Sequence, residues 1–261
     1  MAINNNGGIT TPVISIIMPA YNSERTIAES IYSVISQTYN DYELIIVDDC
    51  STDSTKEIVE GLAASDARIR LVTNSHNKGT AGSRNVGITL ARGEWIAFLD
   101  SDDLWHPKKL ELQLEFAKQT GAAITYTATA YIDKSGSPKK YVLPAEHKLD
   151  SRALLRRNIM TCSSVMVKKV FMQPFPQGYL HEDYAAWISI VRNVGCAYGI
   201  NEPLTKYRIS DTSKSYNRFK SGVMNFNAYR QAGYGVFLAG CLSARYSLHS
   251  VYKRLKIMYG S

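Results

Sequence analysis

Hydrophobic and polar positions along the first 120 residues repeat one rhythm: a short continuous apolar run, a polar turn, then a longer stretch with apolar residues three and four apart. The apolar runs 13–19 (VISIIMP), 42–49 (YELIIVDD), 69–73 (IRLVT) and 94–103 (EWIAFLDSDD) predict strands. Between the first two, Ile27, Ile31, Val34 and Ile35 recur at helical spacing behind Asn22 or Ser23 as a cap. Residues 51–65 predict a turn and a helix, 77–93 a Gly-rich turn and a helix, and 106–121 a helix with Pro107 in its first turn. Strands that are continuously apolar, rather than alternating, are expected to be buried on both faces of a parallel sheet. The fold class expected is α/β, with a Rossmann-like, mostly parallel central sheet flanked by helices.

The rhythm loosens after residue 121. Residues 122–133 read as a strand, 134–140 (KSGSPKK) as a turn, 151–158 as a short helix and 163–169 as another strand. Residues 181–195 predict a helix with Trp187 and Val191 four and eight positions after Asp183. Residues 196–210 predict two short strands around Glu202-Pro203, and the remainder reads as helical with Gly233, Gly235 and Gly240 interrupting it.

Composition adds bounds. With 261 residues, 45% apolar and 20% charged, the chain fits a soluble globular protein of one large domain. Four scattered cysteines, Cys50, Cys162, Cys196 and Cys241, form no CxxC pair, which argues for reduced thiols and against structural zinc. Residues 1–12 resemble no signal peptide, and no apolar run approaches the roughly 20 residues that span a bilayer. The expected location is the cytoplasm. Charge is uneven: Lys206 to Ser261 hold ten basic residues and one acid, net +9, against −2 for the first 205 residues. That asymmetry points to an anionic partner at the C-terminal end.

In open α/β sheets, ligands sit beyond the carboxyl ends of the strands. Here those ends carry Pro19, Ala20, Tyr21 and Asn22, then Asp48 and Asp49, then Asp100, Ser101, Asp102 and Asp103. If the fourth strand runs on through its acids, Asp100 and Asp102 point the same way and offer an oxygen-rich site for Mg²⁺ or Mn²⁺. Either of Asp102 and Asp103 could instead cap the next helix. Asp48-Asp49 could form an Asx-turn or cap leading into residues 50–57, or accept a hydrogen bond from a base or ribose. Tyr21 could stack on a nucleobase or pack locally. Lys78 and Arg84, with Asn85 adjacent, could be a solvated helix face or could balance a phosphate. Asp183 could be a proton acceptor or merely an acid at a helix N-terminus. His76, His106 and His181 have no partner at metal-ligand spacing, and neither GxGxxG nor GxxxxGK[ST] is present.

The blocks SIIMPAYN, ELIIVDDCSTDST, NKGTAGSRNVG and FLDSDDLWHP, in this order across residues 13–120, resemble the signature of family 2 glycosyltransferases, inverting enzymes of the GT-A fold. LHEDYAAWISIVRNVG resembles a later block of that family, and YRISDTSKS echoes it faintly. The resemblance implies a nucleotide-sugar-binding half (13–120), an acceptor and catalytic-base half (121–215) and a helical basic C-terminal segment (216–261) behind a flexible N-terminus (1–12). It implies a nucleotide-sugar site of Pro19, Ala20, Tyr21, Asn22, Asp49, Lys78, Arg84, Asp100 and Ser101. Tyr21 would pack on the base, Asp49 accept from it, and Arg84 and Lys78 lie along the ribose or diphosphate. Asp102, with Asp100, would hold Mn²⁺ or Mg²⁺, and Asp183, with Glu182 as the alternative, would be the catalytic base.

The implied reaction is hexosyl transfer, glucose or galactose favoured, from a UDP-sugar to a polyprenyl-diphosphate-linked sugar in bacterial surface-polysaccharide assembly. Two alternatives stand beside it. A nucleotidyltransferase that forms the sugar nucleotide would want a glycine- and lysine-rich loop after the first strand, and PAYNSERT has no glycine. A non-catalytic nucleotide-sugar-binding subunit would not need Asp183. The tail 241–260 reads either as a packed helix or as an amphipathic segment on anionic lipid at the inner face of the cell membrane. No nucleic-acid module is present, and no nucleic-acid partner is expected.

Overall fold

The computed structural model describes residues 11–156, 158–177, 182–209, 226, 229, 230 and 233–246. Four parallel strands form its first half: β1 (Ile14–Ala20), β2 (Tyr42–Asp48), β3 (Ile69–Thr73) and β4 (Trp95–Phe98). Every residue of β1, β2 and β4 is buried, as their unbroken apolar composition requires. Beyond β4 lie β9 (Met166–Lys168), β6 (Ile124–Ile132), β10 (Cys196–Arg208) and the two-residue β5 (Leu104–Trp105), giving the order β3-β2-β1-β4-β9-β6-β10-β5. β9 is antiparallel to both β4 and β6, so β6 and β10 run in the direction of the first four strands. β7 (Pro138–Leu143) and β8 (Lys148–Asp150) attach to β6 and β10.

Helices cover both faces. α1 (Ile27–Ile35), α2 (Thr55–Ser65) and α4 (Lys109–Thr120) pack with Ile14, Ile16 and Met18 of β1, while Ile17 faces the opposite core. That alternation is the two-residue strand period. The second core joins α3 (Gly79–Leu90), α5 (Ser151–Arg156) and α6 (Glu182–Val194). Gly93 turns the chain from α3 into β4, where a Cβ would lie 2.6 Å from the Ser15 backbone nitrogen. α4 ends at Gly121, whose φ of 66° is the left-handed conformation of a helix stop.

Four sequence expectations shift. β4 stops at Phe98, and Asp100–Asp103 is a turn closed by Asp103 N donating to Asp100 O at 3.1 Å. Strand alternation therefore does not orient Asp100 and Asp102. Residues 196–208 form one strand rather than two, with an irregularity between Ile200 and Thr205 that absorbs Glu202-Pro203. The turn expected at 134–140 closes between Asp133 and Ser137 and passes directly into β7, which begins at Pro138. Toward the C-terminus the expected helix forms over residues 236–246 without an interruption at Gly240, and Tyr229 and Ala239 are buried in the second core. The expectations for residues 1–10, His181, 210–225 and the tail beyond 246 lie outside the described residues.

Candidate active site

The chain runs from β1 through β2 to β3 at one edge, then returns to the other side of β1 as β4. The loops after β1 and β4 both lead to the face covered by α1 and α4 and meet through Ser23, Thr26 and Ser101, at the carboxyl ends of the strands where such sheets bind ligands. Leu99 N donates to Ile17 O at 3.1 Å as the last rung between the two strands. Pro19, two residues on and facing the same edge, has no N–H, and the ladder does not continue. Ala20 is buried and bonded to Asp49 N, while Tyr21 is 52% exposed at the mouth. Asn22 holds a φ of 48° and accepts Thr52 N on its side-chain oxygen at 2.8 Å, tying the first strand's loop to the second's.

Asp49 closes β2, and its carboxylate does structural work that the sequence left open. It accepts Lys78 N and Gly79 N at 2.8 Å each and Asn74 Nδ2 at 2.7 Å, so it caps α3. Three of its roughly four lone-pair positions are thus occupied by protein. Lys78 is exposed at the start of α3, with its side chain toward solvent.

Arg84 is neither a solvated helix cation nor a free phosphate ligand. It is buried, and its guanidinium donates to Asp100 Oδ1 at 2.6 Å and to Glu182 Oε1 at 3.1 Å while lying over the Phe175 ring. Asn85 pairs with both the N–H and C=O of Phe175 at 2.7 and 2.9 Å, fixing that segment against α3. Phe98, Phe175 and Trp187 then meet with centroids 5.3–5.6 Å apart. This aromatic cluster, each pair worth about 0.5–1.5 kcal/mol beyond its burial, docks α6 so that its first turn brings Glu182 and Asp183 to the end of β4.

The three acids of the turn divide their tasks. Asp103 is buried, accepting Ser163 Oγ at 2.5 Å and Arg208 N at 2.9 Å; burial, then Asp102 and Asp100, raise its carboxyl well above the usual range. Asp100 is paired with Arg84. Ser101 shares a 2.8 Å hydrogen bond with Ser23. No other described residue donates to the Asp102 carboxylate, whereas its backbone carbonyl accepts Arg208 Nε at 2.8 Å. Burial and the neighbouring Asp100 push Asp102 up to about 6. A partly buried carboxylate beside a second acid, with the charge of nearby Arg208 pulling the other way, is chemistry that suits a divalent cation. No cluster of three or more His, Cys, Asp or Glu able to hold a metal occurs among the described residues, so further ligands would have to come from a bound phosphate or water. Burial and Glu182 push Asp183 up to about 7, with Arg84 pulling the other way; its Oδ1 accepts Tyr184 N at 2.8 Å.

Sequence reasoning missed Ser163, Arg208 and the Arg84 bridge. Arg208 lay within the faint YRISDTSKS echo; no sequence signal marked Ser163.

Residues 15–173 match the family described as glycosyl transferase family 2. The chain belongs to that family. A family 2 glycosyltransferase is an enzyme, and the nucleotidyltransferase and non-catalytic readings fall away. The chain is 39% identical over 80% of its length to WfgD of Escherichia coli, a UDP-Glc:alpha-D-GlcNAc-diphosphoundecaprenol beta-1,3-glucosyltransferase, and covers 81% of that protein. Its fold is that of GT-A glycosyltransferases. It superimposes on S. aureus TarS in complex with UDP-GlcNAc with a TM-score of 0.70 at 20% identity, over 89% of this chain and 71% of the other. It also superimposes on the mannosyltransferase PcManGT of Pyrobaculum calidifontis in complex with GDP-Man and Mn²⁺, TM-score 0.68 at 17% identity, over 94% and 76% of the two chains.

Proposed function

We propose that this family 2 glycosyltransferase moves a hexose from a UDP-sugar to a hydroxyl of a polyprenyl-diphosphate-linked sugar, with inversion, in surface-polysaccharide synthesis. Glucose and galactose are the favoured hexoses, and the substrates named for WfgD support the donor and acceptor classes. One observation supports the reading: Arg84 ties Asp100, after β4, to Glu182, at the start of α6, so the acids proposed for the donor site and the first turn that carries the candidate base share one cation.

Inverting transfer is a single displacement. The acceptor oxygen bonds to the anomeric carbon, the bond from that carbon to the UDP oxygen breaks, and the hydroxyl proton passes to a base. Asp183 is that base, with Glu182 the alternative: a carboxyl near pKa 7 is ionised often enough to accept a proton and basic enough to hold it. Glu182, engaged by Arg84, is the less available of the two. Asp49 with Tyr21 would receive the base, Pro19, Ala20 and Asn22 would wall the pocket, and Lys78, exposed beside it, would face the ribose or diphosphate. Asp102, with Asp100 beside it, would hold Mn²⁺ or Mg²⁺, which when bound supplies positive charge for the departing diphosphate.

Among the described residues no helix is long and apolar enough to cross a membrane. The consecutive Val236, Phe237 and Leu238 are 63%, 86% and 48% exposed, within the C-terminal segment 206–261 of net +9. These support peripheral contact with the anionic inner leaflet, where the lipid-linked acceptor would reside.

The test is UDP release from UDP-glucose and UDP-galactose, with UDP binding by calorimetry, each with and without Mn²⁺. Wild-type protein is expected to bind UDP in a Mn²⁺-dependent way and to release it slowly from one donor. Asp102→Ala is expected to lose the Mn²⁺ dependence. Mn²⁺-independent binding by the wild type, or Mn²⁺ dependence undiminished in the variant, refutes the donor-site assignment.

A further inference from the structure

The Asp100–Asp103 turn is shaped from outside itself. We propose that Ser163 is its positioning residue, fixing the shape of the closed turn so that Asp102 alone presents a free carboxylate; the proposal rests on the metal-assisted donor site argued above. Ser163 lies in a short 3-10 turn, Cys162–Ser164, far from the turn in sequence and fully buried. Its hydroxyl accepts Asp100 N at 3.1 Å and donates to Asp103 Oδ2 at 2.5 Å. One oxygen thus spans the first and fourth residues of the turn. A hydroxyl has a single proton, and here it is committed to Asp103, leaving a lone pair for the Asp100 amide.

The hydroxyl is itself held in place. Ser163 O accepts Trp105 Nε1 at 2.7 Å and Thr205 Oγ1 at 3.3 Å, so β5 and β10 fix the residue from beyond the turn. The other members of the turn are held separately: Ser101 O accepts Thr26 Oγ1 at 3.0 Å, and Asp102 O accepts Arg208 Nε. Three acids crowd four positions, and the deepest, Asp103, is buried where its oxygens need protein partners. Ser163 gives that buried acid a hydrogen-bond donor, and so keeps Asp103 turned inward. Without the hydroxyl, Asp103 is left a donor short in a buried place, and relaxation of the turn moves Asp102 with it.

The experiment compares wild type, Ser163→Ala, Ser163→Thr and Asp102→Ala by thermal melting and by the Mn²⁺ concentration that gives half-maximal UDP binding. Ser163→Ala is expected to melt cooperatively and to need about tenfold to a hundredfold more Mn²⁺, the size of leaving a buried acceptor without its donor. Its UDP binding without Mn²⁺ should be unchanged, and Ser163→Thr, which keeps the hydroxyl, should need near-wild-type Mn²⁺. If the alanine variant does not fold, Ser163→Cys, with a weaker donor of similar size, is expected to shift the requirement in the same direction by less. A folded alanine or cysteine variant that binds at wild-type Mn²⁺ concentrations overturns the proposal, as does a threonine variant that melts like wild type yet needs as much Mn²⁺ as the alanine variant. Wild-type binding indifferent to Mn²⁺ sinks the donor-site reading itself, whereas Mn²⁺ dependence lost in Asp102→Ala but unaltered in Ser163→Ala sinks only the role of Ser163.

Discussion

Replacing Asp183 with asparagine separates a proton acceptor from a helix-terminal acid, because the two roles predict opposite changes in stability. An ordinary N-terminal acid stabilises its helix, and Asp→Asn would cost under ~1 kcal/mol. Asp183 instead ionises against its surroundings: burial and Glu182 raise it from 3.8 to about 7. A carboxyl whose folded pKa lies above its unfolded one loses protons first in the unfolded state. Stability therefore declines as pH rises from about 4 to about 7, and the full cost is present above 7. The shift corresponds to about 4 kcal/mol at ~1.36 kcal/mol per unit. Because the side chain is partly solvent-exposed, roughly 1–3 kcal/mol is the realistic size. Asp183→Asn removes that cost, so its melting temperature should exceed that of wild type by roughly 2–10 °C at pH 8, with the gap closing toward pH 4. The same variant should lose on the order of 10² to 10⁴ in kcat while UDP binding is spared. Wild-type kcat should fall about tenfold per pH unit below 7, as a base that must be ionised requires. Melting curves at pH 4, 6 and 8 beside the pH–rate profile decide the matter. A variant that is less stable at every pH and turns over within a few-fold of wild type would show that Asp183 only caps α6.

Two further outcomes follow from the same geometry. Arg84→Met leaves Asp100 and Glu182 without their shared cation; we expect a loss of roughly 2–4 kcal/mol, less than for a fully buried pair because Asp100 is partly exposed, and an acid limb of the pH–rate profile displaced upward as Asp183 loses a favourable charge, and an unmoved limb would remove Arg84 from the base's surroundings. Phe237→Ser should weaken sedimentation with phosphatidylglycerol vesicles by about tenfold or more, since burying a phenylalanine is worth roughly 1.5–3 kcal/mol; equal sedimentation of variant and wild type would take this apolar patch out of the membrane argument.

Isoleucine- and valine-rich runs set against 3.6-residue spacing made the first half of the fold legible, because strands buried on both faces leave a signal that needs no partner to read. The acids were legible for a related reason: strand ends in such sheets gather polar groups. What could not be read depends on distant partners. Arg84 looks like any helix cation until α6, nearly a hundred positions later, folds over it with Glu182. Asp49 looks like a ligand-facing acid, and only the arrival of Lys78 and Gly79 reveals it as a cap. The fourth strand reads longer than it is because Leu99 continues its apolar run and no glycine or proline marks the turn. β5 and β8, two and three residues long, are too short to carry any period.

The loops following β1 and β2 are stitched together. Asn22 bonds Thr52, Ser23 N reaches Thr55 Oγ1 at 2.7 Å, Glu24 N reaches Asp53 at 3.1 Å, and Ser54 N returns to Glu24 at 3.1 Å. A rim assembled in advance has little freedom left to surrender when a nucleotide settles into it, sparing about 0.5–1.5 kcal/mol for each side chain that would otherwise have to be stilled. At the donor site proposed above, discrimination among donors would then be a matter of fit to a preformed mould rather than of a surface that forms around its guest.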